Sequence, residues 1–291
     1  MKKSRLIALL SAMMIIAAMA FVVGCGSDDD DSGGDNGTTT ASADFESELI
    51  KPGTLTVGSD IPYPPFEFGK APGYKGFDID LVNEIADRLG LETAIKDTSF
   101  ESIFIDVGQG KFDLVASAST ITPEREKTVN FTNPYYESEQ ALLVPEGSDI
   151  ATVEDLAGKV VGAQDGTTGE TYANDETDAS QVRGFPNGPA AIAALKAGQV
   201  EATIIDRPVA EDAISKGQTG FELATLIPTG EYYGFALAKN TPNLLEAVNG
   251  ALQEIKDDGT LNELFQKWFK VDAPKSLFED SSDTASESES E

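Results

Sequence analysis

Two hydrophobic periods alternate along residues 51–278. Apolar and polar residues take turns over Leu55–Val57, as in a short strand. Farther on, apolar residues recur every fourth position from Leu81 to Leu89, which indicates an amphipathic helix with one buried face. Asp78 is expected to cap the start of this helix, and Gly90 is expected to end it.

The same order of strand and helix repeats through the rest of this region. Further strands are predicted at 92–96, 113–116, 140–144, 159–163, 181–185 and 201–206, and helices from about 99, from 123, after the loop at 165–169, and from 189, 241 and 260. Alternation of this kind is typical of parallel strands with helices on both faces of the sheet. The sequence therefore predicts an α/β fold with mainly parallel sheets.

Two extended stretches, at 140–144 and 232–239, divide the region into two similar α/β units. The chain is expected to leave lobe 1, build lobe 2 and return. Lobe 1 then comprises residues 51–139 and 236–278, and lobe 2 comprises residues 140–235. The two extended crossover strands form the predicted hinge, and the cleft between the two helix-flanked sheets is the natural ligand site.

Residues 1–24 have the order of groups found in an export signal, with a basic start and an apolar run at 6–23 that ends at Gly24. The run is nearly long enough to span a membrane, which takes about 20 residues, so an uncleaved anchor is the alternative. Cys25, the single cysteine, closes the sequence Val22–Cys25, which resembles a bacterial lipobox. In a lipobox the cysteine is acylated on sulfur and becomes the first residue of the mature protein.

The segments on either side of the predicted fold are acidic and poor in apolar residues. Residues 25–50 are predicted to form a disordered tether, and residues 279–291 a disordered acidic tail. The whole chain has a net charge of −29 at pH 7, and the region between these segments is acidic as well. Nucleic-acid binding is not expected, because it needs a basic surface.

Histidine is absent from the chain, and Cys25 is the only thiol. A Ser-His-Asp triad and a Cys-His nucleophile are therefore impossible, and the commonest zinc ligand is missing. No cofactor and no metal is expected. A lone cysteine also rules out an internal disulfide.

Four motifs stand in a characteristic order: SDIPYPPFEF at 59–68, GFDIDLVNEIADRLG at 76–90, DLVASASTITPERE at 113–126 and DGTTGETYAN at 165–174. Together they resemble family 3 of the bacterial solute-binding proteins, the amino-acid receptors of ABC importers. The resemblance implies a two-lobed, periplasmic-binding-protein-like fold. It also implies an amino-acid ligand, separate permease and ATPase subunits as partners, and a monomeric receptor.

Arg125 is the candidate clamp for a ligand carboxylate. It lies at the first turn of a predicted helix, and its planar guanidinium can donate two parallel hydrogen bonds to a carboxylate. An arginine on a helix is otherwise an ordinary surface charge. The resemblance implies that Arg125 binds the ligand α-carboxylate together with Ser117, Ala118 and Thr120, and that Thr168 adds a contact from lobe 2.

Asp206 ends an apolar strand, where an acid can either cap the next helix or bind a ligand. The resemblance implies that it binds the ligand α-ammonium group. It further implies that Tyr63 and Phe100 enclose the ligand side chain and that Gln164 contacts its tip. Asp60 is then suited to a basic or amide side chain and would repel an acidic one.

The expected function is that of a lipid-anchored extracytoplasmic receptor, which binds a polar L-amino acid and delivers it to an ABC permease. Basic amino acids and glutamine are the favoured ligands. One alternative is an enzyme of the same fold that resembles cyclohexadienyl dehydratase, with Glu101 or Glu170 as its acid. Another is a sensory amino-acid-binding module.

Overall fold

The computed structural model describes residues 45–278. The predicted export signal, Cys25, residues 26–44 of the tether and the acidic tail lie outside the described residues. The strands are β1 (Thr54–Ser59), β2 (Glu92–Asp97), β3 (Leu114–Val115), β4 (Val129–Phe131), β5 (Tyr136–Val144), β6 (Val160–Gln164), β7 (Gln181–Phe185), β8 (Ala202–Asp206), β9 (Glu222–Tyr233) and β10 (Ala236–Ala238). The helices are α1 (Phe77–Leu89), α2 (Phe100–Gly108), α3 (Thr168–Asp175), α4 (Gly188–Lys196), α5 (Arg207–Ser215), α6 (Pro242–Asp257) and α7 (Thr260–Trp268).

The first sheet has the strand order β2-β1-β3-β10-β4. β1 runs parallel to both β2 and β3, so that Val57 lies opposite Ile95 on one side and Leu114 on the other. β10 is antiparallel to β3 and β4. The loops after β1 and β3, which carry several predicted site residues, therefore leave neighbouring strands in the same direction.

The second sheet has the order β7-β6-β8-β5-β9. β6 is parallel to β7 and β8, whereas β5 is antiparallel to β8 and β9. The α/β class and the two helix-flanked sheets are confirmed, but the sheets are mixed rather than mainly parallel. The antiparallel pairs arise where the chain passes between the sheets, because β5, β9 and β10 belong to these passages and run against their neighbours.

The two crossings between the sheets lie side by side. β5 pairs with β9 from Tyr136 opposite Tyr233 to Val144 opposite Glu222, with irregularities between Ser138 and Gln140 and again farther along. Such irregularities bend a strand and re-aim its side chains. The crossings thus place polar residues of β5 and β9 next to the strand ends of both sheets, while the predicted lobe boundaries stay a prediction.

An aromatic cluster fixes the proline-rich loop that follows β1. Phe66 is fully buried and packs edge-on against Tyr136, with ring centroids 5.1 Å apart, and at 5.6 Å from Phe269. Phe77 joins it at 6.1 Å. Aromatic pairs of this geometry add about 0.5–1.5 kcal/mol each beyond the area that they bury. The cluster holds in place the backbone that carries Tyr63.

The start of α1 differs from the sequence prediction. Asp78 does not cap the helix, which begins after Gly76 at a φ of 139°. Instead its carboxylate is buried and accepts hydrogen bonds of 2.8 Å from the Ala118 N–H and from the Tyr135 hydroxyl. The predicted end is confirmed, because Gly90 adopts the left-handed conformation and caps the helix.

Residues 45–50, which the sequence assigned to the tether, belong to the fold. Phe45 and Leu49 are buried in the core, and Phe45–Glu48 form a short 3-10 helix. The Glu48 carboxylate accepts a 2.8 Å hydrogen bond from the N–H of Leu244, at the start of α6. The tether prediction is therefore wrong for residues 45–50, because Phe45 and Leu49 in this acidic stretch pack into the core beside α6.

Candidate functional site in the cleft between the sheets

A cavity lies where strand ends of both sheets meet. Its lining comprises Asp60, Tyr63, Phe100, Ser117, Ala118, Thr120, Arg125, Gln164, Thr167, Thr168 and Asp206. The structure thus brings together every residue that the sequence predicted for the site, and it adds Thr167.

Asp60 follows β1 and faces Gln164, which ends β6 in the other sheet. The Gln164 side-chain amide donates a 2.6 Å hydrogen bond to the Asp60 carboxylate, and the Asp60 N–H donates to the Ser117 hydroxyl at 2.9 Å. Burial raises the pKa of Asp60 to about 6; the bond from Gln164 opposes the shift, and the charge of Asp97 adds to it. Asp60 is an ionisable group with one side-chain donor, and that donor comes from across the cleft.

Asp206 ends β8 and has a denser set of partners. It accepts a 2.7 Å hydrogen bond from the Tyr63 hydroxyl and a 2.6 Å bond from the Gln140 side-chain amide. It makes no side-chain cap to α5, so the capping alternative is wrong. Burial raises the pKa of Asp206 to about 6, and the charge of Glu231 raises it further, while the bonds from Tyr63 and Gln140 lower it.

Arg125 spans the cleft from the first sheet to the second. Its guanidinium donates to the Thr120 carbonyl at 2.7 Å and to the Gly166 carbonyl at 3.1 Å. It also lies over the rings of Phe104 and Phe100, at 4.6 and 5.3 Å from their centroids. Burial lowers its pKa to about 10, and the charges of nearby acids oppose that shift. Arg125 therefore remains a cation at neutral pH.

The prediction of a helix from residue 123 is wrong. Only a three-residue 3-10 helix forms there, at Arg125–Lys127. A turn this short offers little of the aligned backbone dipole of a helix start. The positive charge at this position therefore comes from the Arg125 guanidinium and not from a helix start.

Ser117 and Ala118 line the cavity, but their donor groups are hydrogen-bonded to other residues of the protein. The Ser117 hydroxyl donates to the buried Glu67 carboxylate at 2.7 Å. Ala118 has a positive φ of 43°, and its N–H donates to Asp78. A left-handed conformation is uncommon for alanine, so the Asp78 bond and the packing around it hold this loop in shape.

The sequence did not predict two buried polar residues that are hydrogen-bonded to the cavity lining, Gln140 on β5 and Glu231 on β9. Glu231 accepts hydrogen bonds from the hydroxyls of Thr120, at 2.8 Å, and Thr168, at 3.1 Å. Gln140 donates to Glu231 and Asp206 at once. The available signal was a polar residue in an extended stretch next to apolar residues, since such groups are buried only with partners.

Thr167 is the remaining addition, and it shapes the start of α3. Its hydroxyl accepts from the Glu170 N–H at 3.2 Å and donates to the Gln164 carbonyl at 2.8 Å. The first N–H groups of any helix lack partners inside the helix, and Thr167 supplies one for Glu170. Thr168, the first helical residue, presents that end of α3 to the cavity.

Residues 45–278 contain no group of three or more acidic residues arranged to hold a metal ion. Over these residues, no helix has the length and apolar character of a membrane span. Glu101 and Glu170, the acids considered for an enzyme, are not among the residues that line the cavity.

Known proteins resemble this chain over most of the described residues. The sequence profile of bacterial extracellular solute-binding proteins, family 3, matches residues 55–271. The L-cystine-binding protein TcyJ of Escherichia coli K12 is 35% identical over 231 residues, which cover 77% of this chain and 85% of TcyJ. An ancestral arginine-binding protein bound to arginine is 39% identical, with a TM-score of 0.71 over 75% of this chain and 98% of the other. An ancestral arginine-binding protein bound to glutamine is 39% identical, with a TM-score of 0.71 over 75% of this chain and 99% of the other. The chain belongs to the bacterial extracellular solute-binding proteins, family 3.

Proposed function

We propose that this chain is an extracytoplasmic receptor, anchored by lipidated Cys25, that binds a polar L-amino acid for an ABC permease and its ATPase subunits. A basic amino acid is the favoured ligand, and glutamine is the second. The proposal is carried by one observation: Arg125, Asp206 and Asp60 line the same cavity.

Arg125 and Asp206 match the two charges that every α-amino acid carries. The guanidinium pairs with the ligand α-carboxylate, and Asp206 pairs with the α-ammonium group. Pairing both charges matters because leaving a buried ion without a partner costs several kcal/mol. A zwitterion therefore fits this cavity better than a simple carboxylate or a simple amine.

Asp60 favours a ligand side chain that donates hydrogen bonds. Besides the cation Arg125, three acids lie in or beside the cavity, Asp60, Asp206 and Glu231. A basic amino acid adds one net positive charge and offsets part of this excess. The amide of glutamine can donate to Asp60 without adding charge, whereas a glutamate side chain would be repelled.

Relatives support this ligand class. The proteins reported above are named for cystine and arginine, and one was solved with glutamine. A further relative, ABC transporter arginine-binding protein 1 of Escherichia coli K12, is 32% identical. All of these names describe binding proteins, which favours the receptor over the enzyme.

The enzyme alternative needs an acid that faces the reacting ligand. Glu101 is exposed, and the Glu170 carboxylate accepts a 2.7 Å hydrogen bond from the Gly166 N–H. Neither residue lines the cavity. The lining acids, Asp60 and Asp206, are better explained as partners of cationic ligand groups.

The test is calorimetric titration of the Arg125→Ala variant with arginine and glutamine. We expect loss of measurable binding to both amino acids, because the α-carboxylate loses its paired cation. The control is Arg183→Ala, which removes an exposed arginine from β7 and should leave affinity unchanged. Unchanged affinity in Arg125→Ala would overturn the proposed site.

The anchor has a separate test. Cys25→Ser should move the protein from the membrane fraction to the soluble fraction, since acylation requires the thiol. Retention in the membrane would favour an uncleaved apolar segment at 6–23.

A further inference from the structure

Glu231 lies on crossing strand β9, with 7% of its surface exposed, and it connects parts of both sheets. One carboxylate oxygen accepts from the Thr120 hydroxyl at 2.8 Å and from the Thr168 hydroxyl at 3.1 Å. The other accepts from the Gln140 amide at 3.1 Å. Thr120 lies in the loop after β3, in the first sheet, and Thr168 begins α3 of the second.

These bonds decide which way the two hydroxyl groups point. A threonine hydroxyl has one proton and two lone pairs, while an ionised carboxylate only accepts hydrogen bonds. Each threonine therefore uses its proton on Glu231. What the two hydroxyls can still offer to another group is a lone pair.

The remaining lone pairs suit a cation and not an anion. An ammonium group only donates hydrogen bonds, and a carboxylate only accepts them. The two hydroxyls also lie near the proposed ammonium partner, because the Gln140 amide nitrogen is 3.3 Å from the Thr168 oxygen and 2.6 Å from an oxygen of Asp206. The Thr168 contact to the ligand carboxylate, which the sequence predicted, then falls to its backbone N–H and not to its hydroxyl.

We infer that Glu231 is a positioning residue for the ligand ammonium group: it takes the protons of Thr120 and Thr168, so that both hydroxyls accept from the ammonium beside Asp206. The ligand α-carboxylate is then held by Arg125 and by backbone N–H groups. This inference rests on the proposed amino-acid ligand. It also explains why an acid is buried on a crossing strand next to Asp206, whose charge repels it.

The test compares an amino acid with the analogue that lacks its ammonium group. The probes are L-arginine against 5-guanidinopentanoic acid and, as a second pair, L-glutamine against glutaramic acid. Glu231→Gln keeps the shape of the side chain but removes its charge and half of its acceptor capacity. The matched control is Glu222→Gln, an exposed glutamate on the same strand.

In Glu231→Gln we expect the affinity for the amino acid to fall by about tenfold or more, as for a lost hydrogen bond to a charged group. The affinity for the analogue should change by less than about threefold, because the analogue makes no ammonium contact. Equal losses for both members of a pair would assign Glu231 a structural role and overturn the inference. Unchanged affinity for the amino acid would overturn it as well.

A double-mutant cycle with Thr120→Val separates positioning from folding. Valine removes the hydroxyl that Glu231 orients, so Glu231→Gln should cost clearly less affinity in that background. Additive losses would contradict the inference, and thermal unfolding of each variant without ligand checks the fold. If the unmodified protein binds neither amino acid, the proposed function itself fails. If it binds one and the losses are equal, only the role of Glu231 fails.

Discussion

Asp206 and Asp60 are both buried carboxylates of the same cavity, and burial raises the pKa of each to about 6. Their surroundings differ. Asp206 accepts from the side chains of Tyr63 and Gln140, whereas the Asp60 carboxylate has one side-chain donor, Gln164, besides the backbone N–H of Phe100. A carboxylate held by side chains on both oxygens keeps one orientation, and a carboxylate with a single side-chain donor can exchange that donor for a ligand group.

The difference suggests a division of tasks between the two acids. The fixed Asp206 suits the ammonium group, which is the same in every α-amino acid. Asp60 suits the side chain, which varies, because a basic or amide group can take the place of Gln164. Substituting each acid in turn should therefore produce losses of different size and different selectivity.

Asp206→Asn should give the largest effect. Removing one charge from a buried pair costs about 3–5 kcal/mol, which is about two to four orders of magnitude in affinity. The loss should be similar for arginine and glutamine, since both present the same ammonium group. Calorimetric titration measures it, and a loss confined to arginine would contradict the assignment.

Asp60→Asn should give a smaller and selective effect. Arginine loses a charged hydrogen bond worth about 1.5–3 kcal/mol, while glutamine keeps a neutral one worth about 1 kcal/mol. The ratio of the two affinities should therefore move toward glutamine. Titration of both ligands checks this, and an unchanged ratio would remove Asp60 from the side-chain site.

A change of pH should alter the affinity for arginine through both acids together. The change should be smallest near neutral pH. Arginine needs both carboxylates ionised, so protons compete with it as the pH falls below about 6. Affinity should fall there by up to about tenfold per pH unit for each carboxylate. Titrations between pH 7.5 and 4.5 test this, with Asp60→Asn showing a shallower slope.

The stability of the protein without ligand should respond to pH in the opposite direction. Both groups have a pKa raised from 3.8 in the fold, so the fold binds their protons more tightly than the unfolded chain does. Their contribution to stability is fully present below pH 3.8 and is lost as the pH rises through about 6. Substituting either acid with asparagine should reduce this dependence in chemical denaturation, and an unaltered profile would argue against the raised pKa values.

The sequence predicted much of the fold because apolar residues recur clearly at the spacing of strands and helices. The predicted strand at 181–185 coincides with β7, and α1 ends at Gly90 as expected. The ten predicted lining residues came from the resemblance to a family, which carries spatial information that periodicity lacks. Residue types alone left Arg125 as an ordinary surface charge.

What the sequence did not predict depends on register and on short elements. Gln140 and Glu231 meet because β5 and β9 pair with irregularities near Ser138, and no period in the sequence encodes that offset. Asp78 stands where a capping acid would stand, yet its burial depends on Tyr135, far away in sequence. The three-residue helix at Arg125 is too short to have a period at all.

The central claim is that the acidic cleft of this receptor selects basic or amide amino acids. The most direct test is calorimetric titration of the Cys25→Ser protein with L-arginine, L-glutamine and L-glutamate. The account predicts binding of arginine or glutamine and none of glutamate, because Asp60 repels a second acid in the cavity. Binding of glutamate as tightly as arginine would contradict it.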